Sequence, residues 1–294
     1  MSHHLRLATR GSPLALAQAT SVAQRLEAAH PGLTTELVVV ETAGDRDLSA
    51  PLSVLGGQGI FAKEVQLAVL DGRADLAVHS AKDLPSATPH GLELACVPER
   101  LDPADALVGR SLAGLGPGAT VATGSPRRRA LLQSLRPDLT IVELRGNMAR
   151  RFAAAGEGGI DAVIAAVAAL KRLDRHELLA ERLDPEVFTP QVGQGAIALE
   201  ARHGDRAGAM ALEIDDAAAH VCLLAERAFL VGIGAGCTVP AGAWCTVDPE
   251  GLHLRAVMAD ADGRLERVSM FGTDPIALGL EAARSYAHLL DSGS

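Results

Sequence analysis

A lysine and an aspartate stand side by side in His79-Ser80-Ala81-Lys82-Asp83-Leu84-Pro85. A cation next to a carboxylate can hold an anion and move a proton. The apolar run Leu76-Ala77-Val78 before them reads as a buried strand, and Pro85 closes the segment. Lys82 and Asp83 then sit just past a strand's carboxyl end, the edge at which open α/β sheets bind ligands. His79 is the other titratable group of the segment.

Positive charge is concentrated elsewhere. Between Thr123 and Arg151 lie seven arginines, namely Arg127, Arg128, Arg129, Arg136, Arg145, Arg150 and Arg151, opposed only by Asp138 and Glu143. This local excess sits inside a chain of net charge −9. Three of the arginines fall in the first turn of an expected helix, where the dipole disfavours cations. A negative partner should compensate them, and guanidinium groups match carboxylates and phosphates bidentately. A solvated basic face is the plainer reading. Arg172 adds to the same region.

A third feature is a thiol on a glycine-rich loop, Gly232-Ile233-Gly234-Ala235-Gly236-Cys237-Thr238-Val239-Pro240. Glycines let a bulky group approach the backbone, so Cys237 could be an attachment point or a nucleophile. An ordinary buried cysteine is the competing reading. The loop is no dinucleotide fingerprint, and Gly56-Gly57-Gln58-Gly59 lacks the GK[ST] of a phosphate loop.

The elements that must position these groups alternate between strand and helix. Leu5–Ala8 reads as a strand. Gly11-Ser12-Pro13 then opens a helix to about Ala29, with Ser12 as N-cap and Pro13 at the first helical position. Leu37–Glu41 reads as a strand, Phe61–Leu70 as a helix and Leu76–Val78 as a strand. The pattern restarts with strand Thr120–Ala122, Gly124-Ser125-Pro126 and a helix to about Leu135, followed by strands Ile141–Leu144 and Ile160–Ala165. Two related α/β domains with mostly parallel sheets follow, each presenting a helix N-terminus suited to anions. Gly-Ser-Pro is also simply a good way to start a helix. Pro190–Gly195 reads as a crossover, and Ile197–Glu200 as a strand returning to the first domain. From Asp215 the character changes: helix Ala217–Val231, a hairpin of Leu252–Met258 and Arg264–Phe271 around Asp262-Gly263, and a last helix from Asp274-Pro275 to near Gly293.

Composition excludes several classes. The 294 residues are 48% apolar with few aromatics, enough for two or three packed domains. The net charge argues against non-specific nucleic-acid binding. No run of eighteen apolar residues marks a membrane span, and MSHHLRLATR lacks a signal core. Cys96, Cys222, Cys237 and Cys245 form no CxxC or zinc spacing. A reduced, cytoplasmic protein is expected.

Together these segments resemble the porphobilinogen deaminase (hydroxymethylbilane synthase) family nearly end to end. The motifs are LRLATRGSPLAL, GGQGIFAKE, DLAVHSAKDLP, ATGSPRRRALL, LRGNMARR, AVAALKRL, VGQGA and GAGCTVP, in order. The resemblance implies two periplasmic-binding-protein-like (type II) α/β domains around a cleft and a small α+β C-terminal domain. Their expected extents are 1–95 with 196–214, 96–195, and 215–294. It implies head-to-tail polymerisation of four porphobilinogen molecules to hydroxymethylbilane, with loss of ammonia, on a dipyrromethane cofactor linked by a thioether to Cys237. Asp83 matches the catalytic carboxylate. Arg10, Ser12, Lys82, Thr123, Ser125, Arg127, Arg128, Arg145, Gly146, Arg151, Arg172 and Gln194 match the binding positions. Arg129, Arg136 and Arg150 match less directly, and His79 reads as structural.

Asp83 would stabilise the cationic azafulvene formed as ammonia leaves, with Lys82 helping to keep it ionised. The substrate, a polycarboxylate of pyrroles, would give the arginines their anion. No metal, nucleic acid or membrane partner is implied, and a monomer is expected. Gln58, Val54 and Ala43 depart from basic residues of the family, which puts that loop's contacts in doubt. The competing function is a cytosolic anion-binding module on the same scaffold, which leaves the glycine-loop cysteine unexplained.

Overall fold

In the computed structural model, residues 3–42, 59, 61–144, 146–234, 239–260 and 262–291 are described. β1 (His3–Arg10) sends Leu5 and Leu7 into the core and ends at a tight turn. There the Ser12 hydroxyl accepts from the Ala15 amide at 3.3 Å, and Pro13 takes the first position of α1 (Pro13–Ala29). The α1 stripe Ala19, Val22, Ala23 and Leu26 packs with Leu5 and Leu7. β2 (Leu33–Val40) returns parallel to β1, with Leu37 opposite Leu7. α2 (Lys63–Leu70), β3 (Leu76–Ser80) and β4 (Leu92–Cys96) follow.

The second series is β5 (Asp105–Gly109), β6 (Thr120–Ala122), α3 (Pro126–Leu135), β7 (Thr140–Val142), α4 (Met148–Ala153), β8 (Ala162–Ala166), α5 (Val167–Arg172) and β9 (Leu179–Arg182). α3 repeats the device of α1, with Ser125 as cap and Pro126 behind it. β10 (Ile197–Arg202), α6 (Arg206–Ala211) and α7 (Ala217–Gly232) come next. β11 (Ala241–Asp248), β12 (Gly251–Ala259) and β13 (Leu265–Gly272) form an antiparallel sheet, and α8 (Pro275–Arg284) and α9 (Ala287–Asp291) close the described chain.

The two five-stranded sheets share one topology. Their orders are β2-β1-β3-β10-β4 and β7-β6-β8-β5-β9. In each, one strand runs antiparallel to both neighbours: β10 between β3 and β4, β5 between β8 and β9. The odd strand is in each case the first strand of its sheet after the chain enters from the other series. Duplicated α/β units, expected from the repeated Gly-Ser-Pro starts, are therefore present, but each sheet is mixed rather than mostly parallel: two of its four pairings are parallel and two antiparallel, because the one reversed strand lies between two others.

By compactness the chain forms two units, Met1–Leu101 with Ala196–Val221 and Asp102–Gly195 with Cys222–Ser294. The first sheet belongs to one, the second and third sheets to the other.

Several elements differ from expectation. β4, β5 and β9 carry no clear period in sequence, and their pairing partners are distant along the chain; β11 also shows no clear period, although it pairs with the next strand, β12. The last helix is interrupted at Ser285-Tyr286. There Tyr286 turns fully inward and meets Phe229 edge-on, with ring centres 5.8 Å apart; burying that ring competes with continuing the helix.

Candidate active site

At the first sheet's edge, Asp83 is the last residue of a 3₁₀ turn, Ala81–Asp83, directly beyond β3. The turn is held from both sides. The Ala81 amide donates to the Ala196 carbonyl at 3.0 Å, and the Ser80 hydroxyl donates to Gln18 Oε1 at 2.9 Å. A small open cavity there is lined by Arg10, Ser12, Gln18, Phe61, His79 and Asp83, among others. The Arg10 guanidinium lies over the Phe61 ring, 4.0 Å from its centre, where the ring face attracts a cation. Asp83 and Lys82 are both half-buried. The structure thus brings Arg10, Ser12 and Asp83 to one cavity. His79 is held in the interior, with Nε2 3.2 Å from Glu200 Oε2, and Gln66 donates to the same oxygen at 2.8 Å.

The second sheet's edge is built differently. Thr123 is buried, and its hydroxyl accepts from the Ser125 amide at 3.2 Å. Ser125 in turn accepts from the Arg128 amide at 3.4 Å. The first turn of α3 carries Arg127 and Arg128, only 3% and 7% exposed. Both converge on Asp105, which is fully buried at the start of β5. Arg128 donates to Asp105 Oδ1 through Nε at 2.9 Å and Nη2 at 2.6 Å, and to the Ile164 carbonyl at 3.0 Å. Arg127 Nη1 reaches Asp105 Oδ2 at 2.8 Å and the Thr189 carbonyl at 2.7 Å. Gln194, also fully buried, donates to Asp105 Oδ1 at 2.9 Å and to the Pro103 carbonyl at 2.8 Å.

Two guanidiniums share one carboxylate, so the cluster keeps a net positive charge. Burial alone pushes the Asp105 carboxyl up, and the Arg127 and Arg128 charges outweigh it, leaving it at about 2. Arg127 Nε and Nη2 are buried with no hydrogen-bond partner among the described residues. Such donors are costly to leave unmade.

The remaining arginines divide. Arg172 Nη2 donates to the Gly195 carbonyl at 2.9 Å. Arg151 Nε donates to the Gly146 carbonyl at 2.9 Å, and Gly146 has φ +113. Arg136 is spent locally on Asp138 at 2.8 and 2.7 Å and on the Leu112 and Leu115 carbonyls. Arg145, Cys237 and the departures Gln58, Val54 and Ala43 lie outside the described residues. The other cysteines, Cys96, Cys222 and Cys245, are buried and form no disulfide.

Asp105, Gln18 and Phe61 did not emerge from the sequence. Asp105 had a signal: it is a charged residue opening the apolar run Ala106-Leu107-Val108, a position that demands a partner.

Comparisons with known proteins follow the same lines. The family model described as porphobilinogen deaminase, dipyromethane cofactor binding domain, matches residues 5–209, and that described as porphobilinogen deaminase, C-terminal domain, matches residues 220–287. A porphobilinogen deaminase of Roseiflexus castenholzii is 46% identical over 299 residues, covering 100% of this chain and 98% of the relative. One of Stenotrophomonas maltophilia is 44% identical over 298 residues, covering 99% and 97%. Among solved structures, the Bordetella pertussis BvgS periplasmic VFT2 domain aligns at 19% identity with a TM-score of 0.43, over 72% of this chain and 86% of that one.

Proposed function

The chain belongs to the porphobilinogen deaminase family, and on that premise we propose how its own residues carry the activity. The reaction joins four porphobilinogen molecules head to tail into the linear tetrapyrrole hydroxymethylbilane, with loss of ammonia at each step, on a dipyrromethane cofactor.

Asp83 is assigned as the catalytic carboxylate. Its half-buried position at a sheet edge suits it to stabilise the cation left on the substrate when ammonia departs. It also suits it to accept the proton that the pyrrole α-carbon loses after coupling. Arg10 and Ser12 share its cavity and Lys82 its turn. Thr123, Ser125, Arg127, Arg128, Arg145, Gly146, Arg151, Arg172 and Gln194 are assigned to substrate and cofactor carboxylates, directly or by supporting one another. Residues 215–294 are assigned to a third domain carrying Cys237, the attachment point. The enzyme is proposed to act as a monomer in the cytoplasm. No helix among the described residues is long and apolar enough to cross a membrane.

One observation carries this assignment. Arg127 keeps Nε and Nη2 buried and without a partner among the described residues, on the same guanidinium that Asp105 and Thr189 anchor through Nη1. That edge fits a carboxylate, and each pyrrole of the cofactor and substrate bears two. The donor set therefore fits the dipyrromethane, whose contribution when bound is the pyrrole carbon onto which the first substrate is joined. The burial of Cys96, Cys222 and Cys245 supports Cys237 as the thiol that carries it.

Intact-mass measurement tests the reading. The purified chain is expected to carry a two-pyrrole adduct that Cys237→Ser loses. A non-catalytic anion-binding module would instead give the unmodified mass in both proteins, and an unmodified mass in active enzyme would remove the assignment.

A further inference from the structure

Glu226 is fully buried on α7 and is used by nothing described so far. Its Oε2 accepts from the Gly193 amide at 2.7 Å and its Oε1 from the Cys245 amide on β11 at 2.9 Å. An apolar side chain would pack α7 against β11 at less cost than a carboxylate. The carboxylate holds two backbone amides from separate segments.

One of those segments runs from Thr189 to Gly195 and touches the arginine cluster repeatedly. The Thr189 carbonyl takes Arg127 Nη1 at 2.7 Å. Gln194 sits between Gly193 (φ +71) and Gly195 (φ +89), both in the left-handed region that glycine favours. The side chain so aimed meets Asp105 at 2.9 Å and Arg128 Nη2 at 3.4 Å. On the far side the segment is pressed against β11. A Cβ at Gly242 would lie 2.5 Å from the Pro190 carbonyl oxygen, 2.9 Å from Arg127 Cδ and 3.0 Å from the Thr189 carbonyl oxygen.

We propose that Glu226 is a positioning residue for Arg127 and Arg128, acting through the 189–195 segment that it clamps against β11. This rests on the reading of Arg127 as a carboxylate-binding residue. The direction of the Arg127 donor edge is then set from the C-terminal sheet as well as from Asp105.

Glu226→Gln in the full chain is the test, because the amide can accept from one N–H but turns a donor toward the other. Porphobilinogen kinetics are taken on preparations whose adduct is verified by mass. KM is expected to rise about tenfold with kcat little changed, as for a misaimed binding group. The fraction of freshly folded chains that acquire the adduct should fall as well. In a Gln194→Ala background the same change should add little, since both act on one chain of contacts. A lowered melting temperature with unchanged KM and full adduct, or fully multiplicative effects of the two changes, would overturn the proposal. Should Glu226→Gln not fold, Gly242→Ala displaces the same segment from β11; an unchanged KM in that variant is equally fatal. Arg127→Ala separates the two levels: an unchanged KM there removes the carboxylate reading itself, whatever Glu226 does.

Discussion

The two α/β sheets are built to one plan and differ in how their buried charges are paired. Each buries a carboxylate on its antiparallel strand, Glu200 on β10 and Asp105 on β5, and both are fully buried. Glu200 faces the His79 imidazole and the Gln66 amide. Asp105 faces two arginines that cannot discharge. The first edge is left with a half-buried Asp83 in an open cavity, the second with surplus positive charge on buried guanidiniums. A shared scaffold therefore fixes where the strand ends and helix starts lie, while a few side chains decide which edge keeps a half-buried carboxylate and which keeps buried guanidiniums.

The largest effect should come from the first edge. Asp83→Asn is expected to keep the fold and to slow ammonia release by roughly two to four orders of magnitude, read by single-turnover assay with circular dichroism as control. Near-normal turnover would place the chemistry elsewhere and erase the proposed division between the edges.

Next are the two buried carboxylates. Asp105→Ala leaves two buried guanidiniums uncompensated and should cost about 3–5 kcal/mol in urea unfolding. Glu200→Gln should cost only about 1–2 kcal/mol, because an amide oxygen can still accept from Gln66 and no buried guanidinium loses its counter-charge to it. Equal costs would show that the two sites are charged alike.

Acid unfolding sharpens the same contrast. The Asp105 carboxyl is held at about 2 in the folded chain, below its unfolded value of about 3.9. A depressed folded value stabilises above the unfolded pKa. Its contribution, roughly 2 kcal/mol, is therefore complete above about pH 4 and lost as pH falls toward 2. In Asp105→Asn that part of the pH dependence should vanish; if it persists, another carboxylate is responsible.

The smallest effects test the shared plan. Ser12→Ala and Ser125→Ala remove equivalent caps and should each cost about 1 kcal/mol, measured by thermal denaturation. A clear inequality would mean that one cap does more than start its helix.

What could be read from the chain alone was local. The Ser-Pro starts of α1 and α3 place cap, proline and helix within four residues, so their positions followed directly. So did the placement of Asp83 beyond β3, since a buried strand and a closing proline are adjacent to it. β4, β5 and β9 were hidden because strands of four or five residues are too short to show a period, and their identity lies in partners far along the chain.

The arginine excess was visible as a demand for negative charge, but not its answer. Asp105 lies 23 residues from Arg128 and 89 from Gln194, and Glu226 lies 33 from Gly193. The sequence by itself determined the motifs, the repeated βα starts and the surplus of cations. Only the tertiary structure decided which arginine is neutralised and which keeps open donors. Pairing in a buried site depends on which groups the folded backbone brings within about 3 Å, and no local rule encodes that.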